Sequence, residues 1–105
     1  MIVCGIETCT RYGEVAILNE SEVLGIGSFE GHCAHAAGLF PCLSDLLDRC
    51  GLTVGQLELI CVDRGPGSYT GIRVGVTAGK VLAVALDLPL VAVELFDVLA
   101  RALPH

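Results

Sequence analysis

Near residue 34 the spacing of apolar residues changes from that of strands to that of helices, and this switch constrains the fold more than any other feature of the chain. Before it, three apolar runs follow one another closely: Ile2 to Glu7, Glu14 to Leu18 and Val23 to Phe29. Arg11-Tyr12-Gly13 and Asn19-Glu20-Ser21-Glu22 read as the turns between them. Runs this short, joined this tightly, predict three strands in an antiparallel meander. Gly25 and Gly27 share one face of the third run and predict either a bulge or an element crossing close above it.

After the switch, Leu39, Leu43, Leu46, Leu47 and Cys50 fall at helical spacing. They predict an amphipathic helix from about Ala34 to Cys50, with Gly51 placed to cap its C-terminus. Thr53-Val54-Gly55-Gln56 has the T-x-x-Q form of a capping box and predicts one short helical turn. Leu57 to Val62 reads as a strand, Asp63 to Thr70 as a glycine-rich loop, and about Gly71 to Leu86 as a second helix stopped by Pro89. Leu90 to Val93 is a final strand, and Leu95 to Leu103 begins a third helix. The order is βββαβαβα. Strands that follow helices join the sheet by right-handed parallel crossovers. The expected fold is therefore α/β: one domain over residues 1–105, a mixed five-stranded sheet with helices, the arrangement of the ribonuclease H-like fold.

Bulk composition narrows the function. Apolar residues make up 53% of the 105 and charged residues only 17%, against about 45–50% (glycine included) and about 25% in ordinary domains. A small domain has little interior to hide that excess, so part of its surface is expected to meet another protein or a missing half of its own chain. The net charge is −6 with six Lys plus Arg, which argues against the chain holding RNA on its own, since that draws on cations that displace phosphate counterions. None of the six cysteines forms a C-x-x-C pair, and most sit in apolar runs, as buried free thiols of a reducing cytosol do. Met1 leads straight into a strand-like run with no basic leader, and the apolar stretch from Val81 to Val93 is interrupted by Asp87 and Pro89. A cytoplasmic chain with no membrane association is expected.

The loop from Asp63 to Thr70 stands between a strand and a helix, where unpaired N–H groups and the positive dipole end favour anions. It lacks the Lys of a G-x-x-x-x-G-K-[ST] motif and is not G-x-G-x-x-G. Physics alone leaves open an anion loop or a merely tight turn. In the following helix, Gly71, Gly75 and Gly79 lie at i, i+4 and i+8, one stripe down one face. Each mid-helix glycine costs about 0.8–1 kcal/mol relative to alanine. Such a stripe permits close approach, either of a partner or of the protein's own sheet or first helix. Arg73, Thr77 and Lys80 form the neighbouring polar stripe.

The segment Arg64-Gly65-Pro66-Gly67-Ser68-Tyr69-Thr70-Gly71-Ile72-Arg73-Val74-Gly75 resembles the R-G-P-G-S-[FY]-T-G-[LI]-R-[IV]-G signature of the TsaB family, also called YeaZ. The likeness continues through Ala78, Lys80 and Ala83 into Leu88-Pro89-Leu90-Val91. Ile6-Glu7-Thr8-Cys9-Thr10 is similar to the family's I-D-T-S-T, and His35 before Leu39-Phe40-Pro41 to its H-S-E-x-L-L-P. The resemblance implies an actin/Hsp70/sugar-kinase type fold of two ribonuclease H-like domains, of which this chain matches the first. It implies a non-catalytic scaffold in the making of threonylcarbamoyladenosine on tRNA. Its first two helices would pair with those of a TsaD-like enzyme, and the pair would recruit a TsaE-like ATPase. A homodimer is expected when the chain is alone. The interface residues so implied are His35, Leu39, Leu43, Gly71, Arg73, Gly75, Thr77, Gly79 and Lys80. Glu7, Thr8, Thr10, Gly65, Gly67, Ser68 and Thr70 would form the nucleotide or anion loop, with ATP bound only within the complex and no other cofactor.

Departures from the family pattern bear on this. Glu7 stands where the family has Asp, which moves a carboxylate by more than about an ångström and weakens any claim of nucleotide hydrolysis. Ala36 and Ala37 replace Ser and Glu. His32-Cys33-Ala34-His35 matches neither H-E-x-x-H nor the H-x-x-x-H of TsaD-like enzymes, so no metal site is expected. No Ser, Cys or Thr stands beside a readable His/Asp pair, so nucleophilic catalysis and protease activity have no support in the sequence. The alternative from another class is a small actin-like domain that binds and hydrolyses ATP through the Glu7–Thr10 and Gly65–Gly71 loops.

Overall fold

A computed structural model describes residues 1–8, 13–20, 22–29, 35–65 and 69–94. Five strands form one sheet: β1 (Ile2–Glu7), β2 (Gly13–Asn19), β3 (Glu22–Phe29), β4 (Leu59–Asp63) and β5 (Leu90–Val93), in the order β3-β2-β1-β4-β5. The β1–β2 and β2–β3 pairs are antiparallel, and β1–β4 and β4–β5 are parallel. Helix α1 (His35–Cys50) leads from β3 to β4 and α2 (Tyr69–Leu86) from β4 to β5. This is the mixed five-stranded sheet expected from the change of period, and the tight meander followed by parallel crossovers accounts for its strand order. The expected third helix, residues 95–103, lies outside the described residues.

Both helices cover the same face of the sheet. In register across β2, β1 and β4, the residues Val15, Ile17, Cys4, Ile6, Ile60 and Val62 share that face and are at most 3% exposed. Leu39, Leu43, Leu46 and Leu47 from α1, with Ala78, Leu82 and Ala83 from α2, complete the core. Each fully buried large aliphatic side chain contributes about 1.5–3 kcal/mol.

Both readings of Gly25 and Gly27 hold together. The β2–β3 register shifts between Ile17 and Leu18. Helix α1 also crosses so close that a Cβ on Gly25 would lie 2.8 Å from Leu46 Cδ1, and one on Gly27 2.8 Å from Cys42 Sγ. Pro41 stands inside α1, where it leaves one intrahelical hydrogen bond unmade.

Helix α1 ends at Cys50, Gly51 follows with φ 71°, and Leu52 N–H donates back to Leu47 O at 2.9 Å. The short 3₁₀ turn Val54–Gln56 follows, with Gln56 Oε1 accepting from Thr53 N–H at 2.8 Å as a capping box requires. The starts of β4 and α2 each differ from expectation by two residues. Leu57 N–H closes this turn onto Val54 O, so β4 starts at Leu59 and not at Leu57. Helix α2 starts at Tyr69, two residues before Gly71.

Candidate functional site

Two regions hold the residues that the sequence singles out. The first is the C-terminal end of β1 and β4. Glu7 and Glu14 are opposed in the β1–β2 ladder, and Asp63 ends β4 beside them. All three line a concavity of about 320 Å³ with Gly5, Ala16 and Cys61, on the sheet face away from the helices.

Asp63 is 5% exposed, and its Oδ1 accepts from Gly65 N–H at 3.0 Å. Gly65 has φ 114°, a conformation open to glycine and strained for other residues. Arg64 N–H donates to Val93 O at 2.8 Å, and its guanidinium meets Glu94 at 2.9 Å. The opening of the β4–α2 loop is therefore braced by its own acid and by β5. Of the two readings of this loop, the tight turn describes its first residues. The Gly65 N–H, a donor that an anion cradle requires, is already engaged by a carboxylate.

Thr8 is 1% exposed and lies under α2. Its side chain is therefore closed off from solvent in this chain. Thr10, Gly67 and Ser68 lie outside the described residues. Thr70 belongs to the first turn of α2 by its backbone. Among the described residues, no group of three or more His, Cys, Asp or Glu is arranged to hold a metal ion. His32 and Cys33 are outside that description.

The second region is the surface of α1 and α2, and here the expected interface needs correction. Gly75 and Gly79 are buried and face the protein's own sheet. A Cβ on Gly75 would collide with Thr8 Oγ1, and one on Gly79 would stand 2.5 Å from Val62 Cγ1 and 3.2 Å from Leu90 Cδ1. Gly75 and Gly79 are therefore an internal seat for the sheet and not a partner's landing strip. Leu39 and Leu43, also assigned to the interface, are 0% and 4% exposed and belong to the core. His35 and Gly71 are helical by backbone.

Arg73, Thr77 and Lys80 are exposed as a surface stripe must be. Val84 continues that stripe at 83% exposure, with Val81 beside it at 54%. Sequence reasoning missed these two valines because apolar residues on a helix read equally as core. Once Gly75 and Gly79 point inward, residues 73, 77, 80 and 84 point outward by helical periodicity. Beside this face, a groove of about 400 Å³ runs between α1 and the 3₁₀ turn, lined by Phe40, Leu43, Leu47, Leu52, Val54 and Leu82. Phe40 and Val54 are 38% and 42% exposed. No helix of the described residues is long and apolar enough to cross a membrane.

The thiols report the same two-sidedness. Burial, and secondarily the Cys61 thiol, pushes Cys4 on the helix-covered face up to about 12. On the other face Cys61 is raised more modestly, by burial first and then by the Asp63 charge.

Comparison with known proteins places this geometry. Residues 21–104 match the family model described as TsaD, tRNA N6-adenosine threonylcarbamoyltransferase. The tRNA threonylcarbamoyladenosine biosynthesis protein TsaB of Bacillus subtilis is 36% identical over 95% of this chain and 44% of its own length. The chain thus spans less than half the length of the curated relatives it matches. Among solved structures, YeaZ from Pseudomonas aeruginosa superposes with a TM-score of 0.84 at 32% identity, over 95% of this chain and 46% of that one. RuvC of Thermus thermophilus, in complex with a Holliday junction substrate, superposes with a TM-score of 0.64 at 14% identity over 93% and 67%. That likeness concerns the fold alone and agrees with a ribonuclease H-like architecture.

Proposed function

The chain belongs to the TsaD family, on its TsaB (YeaZ) branch, and from that premise we propose that it serves threonylcarbamoyladenosine synthesis on tRNA as a docking subunit and not as the catalyst. The observation that carries this reading is the outward face of α2. Val81 and Val84 stand in the open on a helix whose inner face is already fully used, with Arg73, Thr77 and Lys80 around them. An apolar centre with a polar rim is the anatomy of a protein interface.

In this reading a TsaD-like enzyme docks on the exposed surfaces of α1 and α2, a TsaE-like ATPase joins the pair, and a second copy takes the face when neither is present. The enzyme supplies the transfer chemistry. The net charge of −6 leaves tRNA contacts to the partners. The Gly65 N–H engaged by Asp63, and the carboxylates of Glu7 and Glu14 nearby, disfavour a phosphate held by this chain alone.

The test is calorimetric titration of the purified chain into a TsaD-like enzyme from the same genome. Saturable binding is expected. Val84→Glu should weaken it at least ten-fold while leaving the circular dichroism spectrum native. Undiminished binding by that variant would displace the interface from α2. Steady ATP turnover by the chain alone would favour the enzymatic alternative.

A further inference from the structure

We propose that the open edge of β3 pairs antiparallel with β3 of a second copy of this chain, joining the two sheets into one. β2 pairs with one side of β3, and among the described residues no strand pairs with the other. β3 is also the longest of the five strands. Solitary edge strands are usually short, or guarded by Lys or Pro. β3 has neither guard, and its Val23 and Ile26 are 51% and 54% exposed.

The bulge makes this edge complementary to itself. Val23 opposes Leu18 and Gly25 opposes Ile17, which leaves Leu24 as the extra residue. Val23 and Ile26, three apart, are thereby brought to the same side of the sheet, away from the helices. Glu22, opposite Asn19, shares the helix side with Gly27. When Val23 is set against Ile26 of the second copy, Glu22 falls against Gly27 of that copy, and a two-fold axis passes between Leu24 and Gly25.

Charge supports the same register. Arg49 reaches over β3 from α1, and its Nη2 would stand 3.4 Å from a Cβ on Gly27. Directly opposed Cβ atoms lie about 4.5–5.5 Å apart, so the Glu22 carboxylate comes within reach of the Arg49 guanidinium of the second copy. Symmetry makes this contact twice. Within its own chain Arg49 meets Asp45 in an exposed pair at 3.4 Å, and no cation pairs with Glu22 among the described residues. A backbone ladder with an apolar pair on one face and an ion pair on the other is recognition by strand addition. Val81 and Val84 of both copies remain outward, so the pair carries two docking faces.

Sedimentation velocity of the full chain carrying Val84→Glu, which disables the helix-face contact, reads the edge alone. The mass should rise from one chain towards two with concentration. Glu22→Arg should raise the dissociation constant about ten-fold or more, since like charges then face each other. Adding Arg49→Glu should return it to within about three-fold. A single-chain mass throughout, or a pair that Glu22→Arg leaves intact, overturns the proposal.

A second measurement needs no charge reversal. Chains carrying Val23→Cys and chains carrying Ile26→Cys are mixed and treated with diamide, which is reduced to the hydrazine as two thiols become one disulfide. Peptide mass spectrometry should find position 23 of one chain joined to position 26 of the other. Its absence, while both thiols react with N-ethylmaleimide, overturns the proposal. Docking of the TsaD-like enzyme is tested separately, so either idea can fail without the other.

Discussion

Helix α2 has two faces built on opposite logic. Its inner face is made of residues too small to resist the sheet: Gly75 rests on Thr8, Gly79 on Val62, and Ala78 and Ala83 are almost fully buried. Its outer face carries larger or charged groups that are exposed, from Arg73 through Thr77 and Lys80 to Val84. Helix α1 repeats the division, with Leu39 wholly buried and its neighbour Phe40 38% exposed. The inner faces set how close the helices lie to the sheet, and the outer faces are left for partners. A substitution at one residue should therefore act on stability or on binding according to its face.

The largest expected effect is on the inner face. Gly75→Leu places a side chain where even a first carbon collides with Thr8. Overpacking a core usually costs about 1–3 kcal/mol, and with no room for the Cβ the loss should be roughly 4 kcal/mol or more. The measurement is the urea midpoint. A native midpoint would erase the distinction between the faces. Gly75→Ala should be partly rescued by Thr8→Ala, which removes the colliding oxygen.

A second effect comes from alkaline pH. Burial raises Cys4 from its ordinary value of 9.0 to about 12. The unfolded chain then releases this proton first as pH rises, so the folded state holds more protons above pH 9 and loses stability there. Sign and window follow: the contribution is fully present below about pH 9 and lost as pH approaches 12. Three units correspond to on the order of 4 kcal/mol at the upper limit. Cys4→Ala should flatten that slope in urea titrations taken across the range. An unchanged slope would mean that water reaches the inner face.

The fold was legible in the sequence because its signals are local. The period switch near residue 34, the T-x-x-Q turn and the glycines of β3 each report a contact formed within a few residues or one layer away. The interface was less legible for a physical reason. A stripe of glycines says that something comes close, and nothing in its spacing says whether that neighbour belongs to the same chain. Thr8 and Val62, separated from Gly75 and Gly79 by long stretches of sequence, are what close on it. Leu39 and Leu43 were misassigned for the same reason, since an apolar helical stripe fits a core and an interface equally. The braced loop was hidden too, because the Gly65 contact with Asp63 needs the turn to be formed before it exists.

A smaller effect separates adjacent residues of α1. Leu39→Ala empties a fully buried site and should cost about 3 kcal/mol, within the 2–5 usual for such truncations. Phe40→Ala removes a ring already in partial contact with water, in the groove with Val54 and Leu52, and should cost about 1 kcal/mol. Equal losses would show that the groove is closed in solution and that Phe40 is core.

The smallest expected change on stability is the most discriminating for function. Val84 is 83% exposed and Val81 54%, so the packing that Asp removes at either position should account for no more than about 0.5 kcal/mol in the urea midpoint. Both sites lie in the later turns of α2, whose last turn holds no basic residue. A carboxylate there meets the negative end of the helix dipole, worth about 0.3–1 kcal/mol at an exposed site, and the effect should shrink in high salt. Lys at the same positions should reverse the sign of that electrostatic part. If Asp and Lys destabilise alike, and by more than about 1 kcal/mol, the valines are packed against something in the isolated chain. Light scattering of the unmodified chain would then identify a second copy by a mass that falls on dilution.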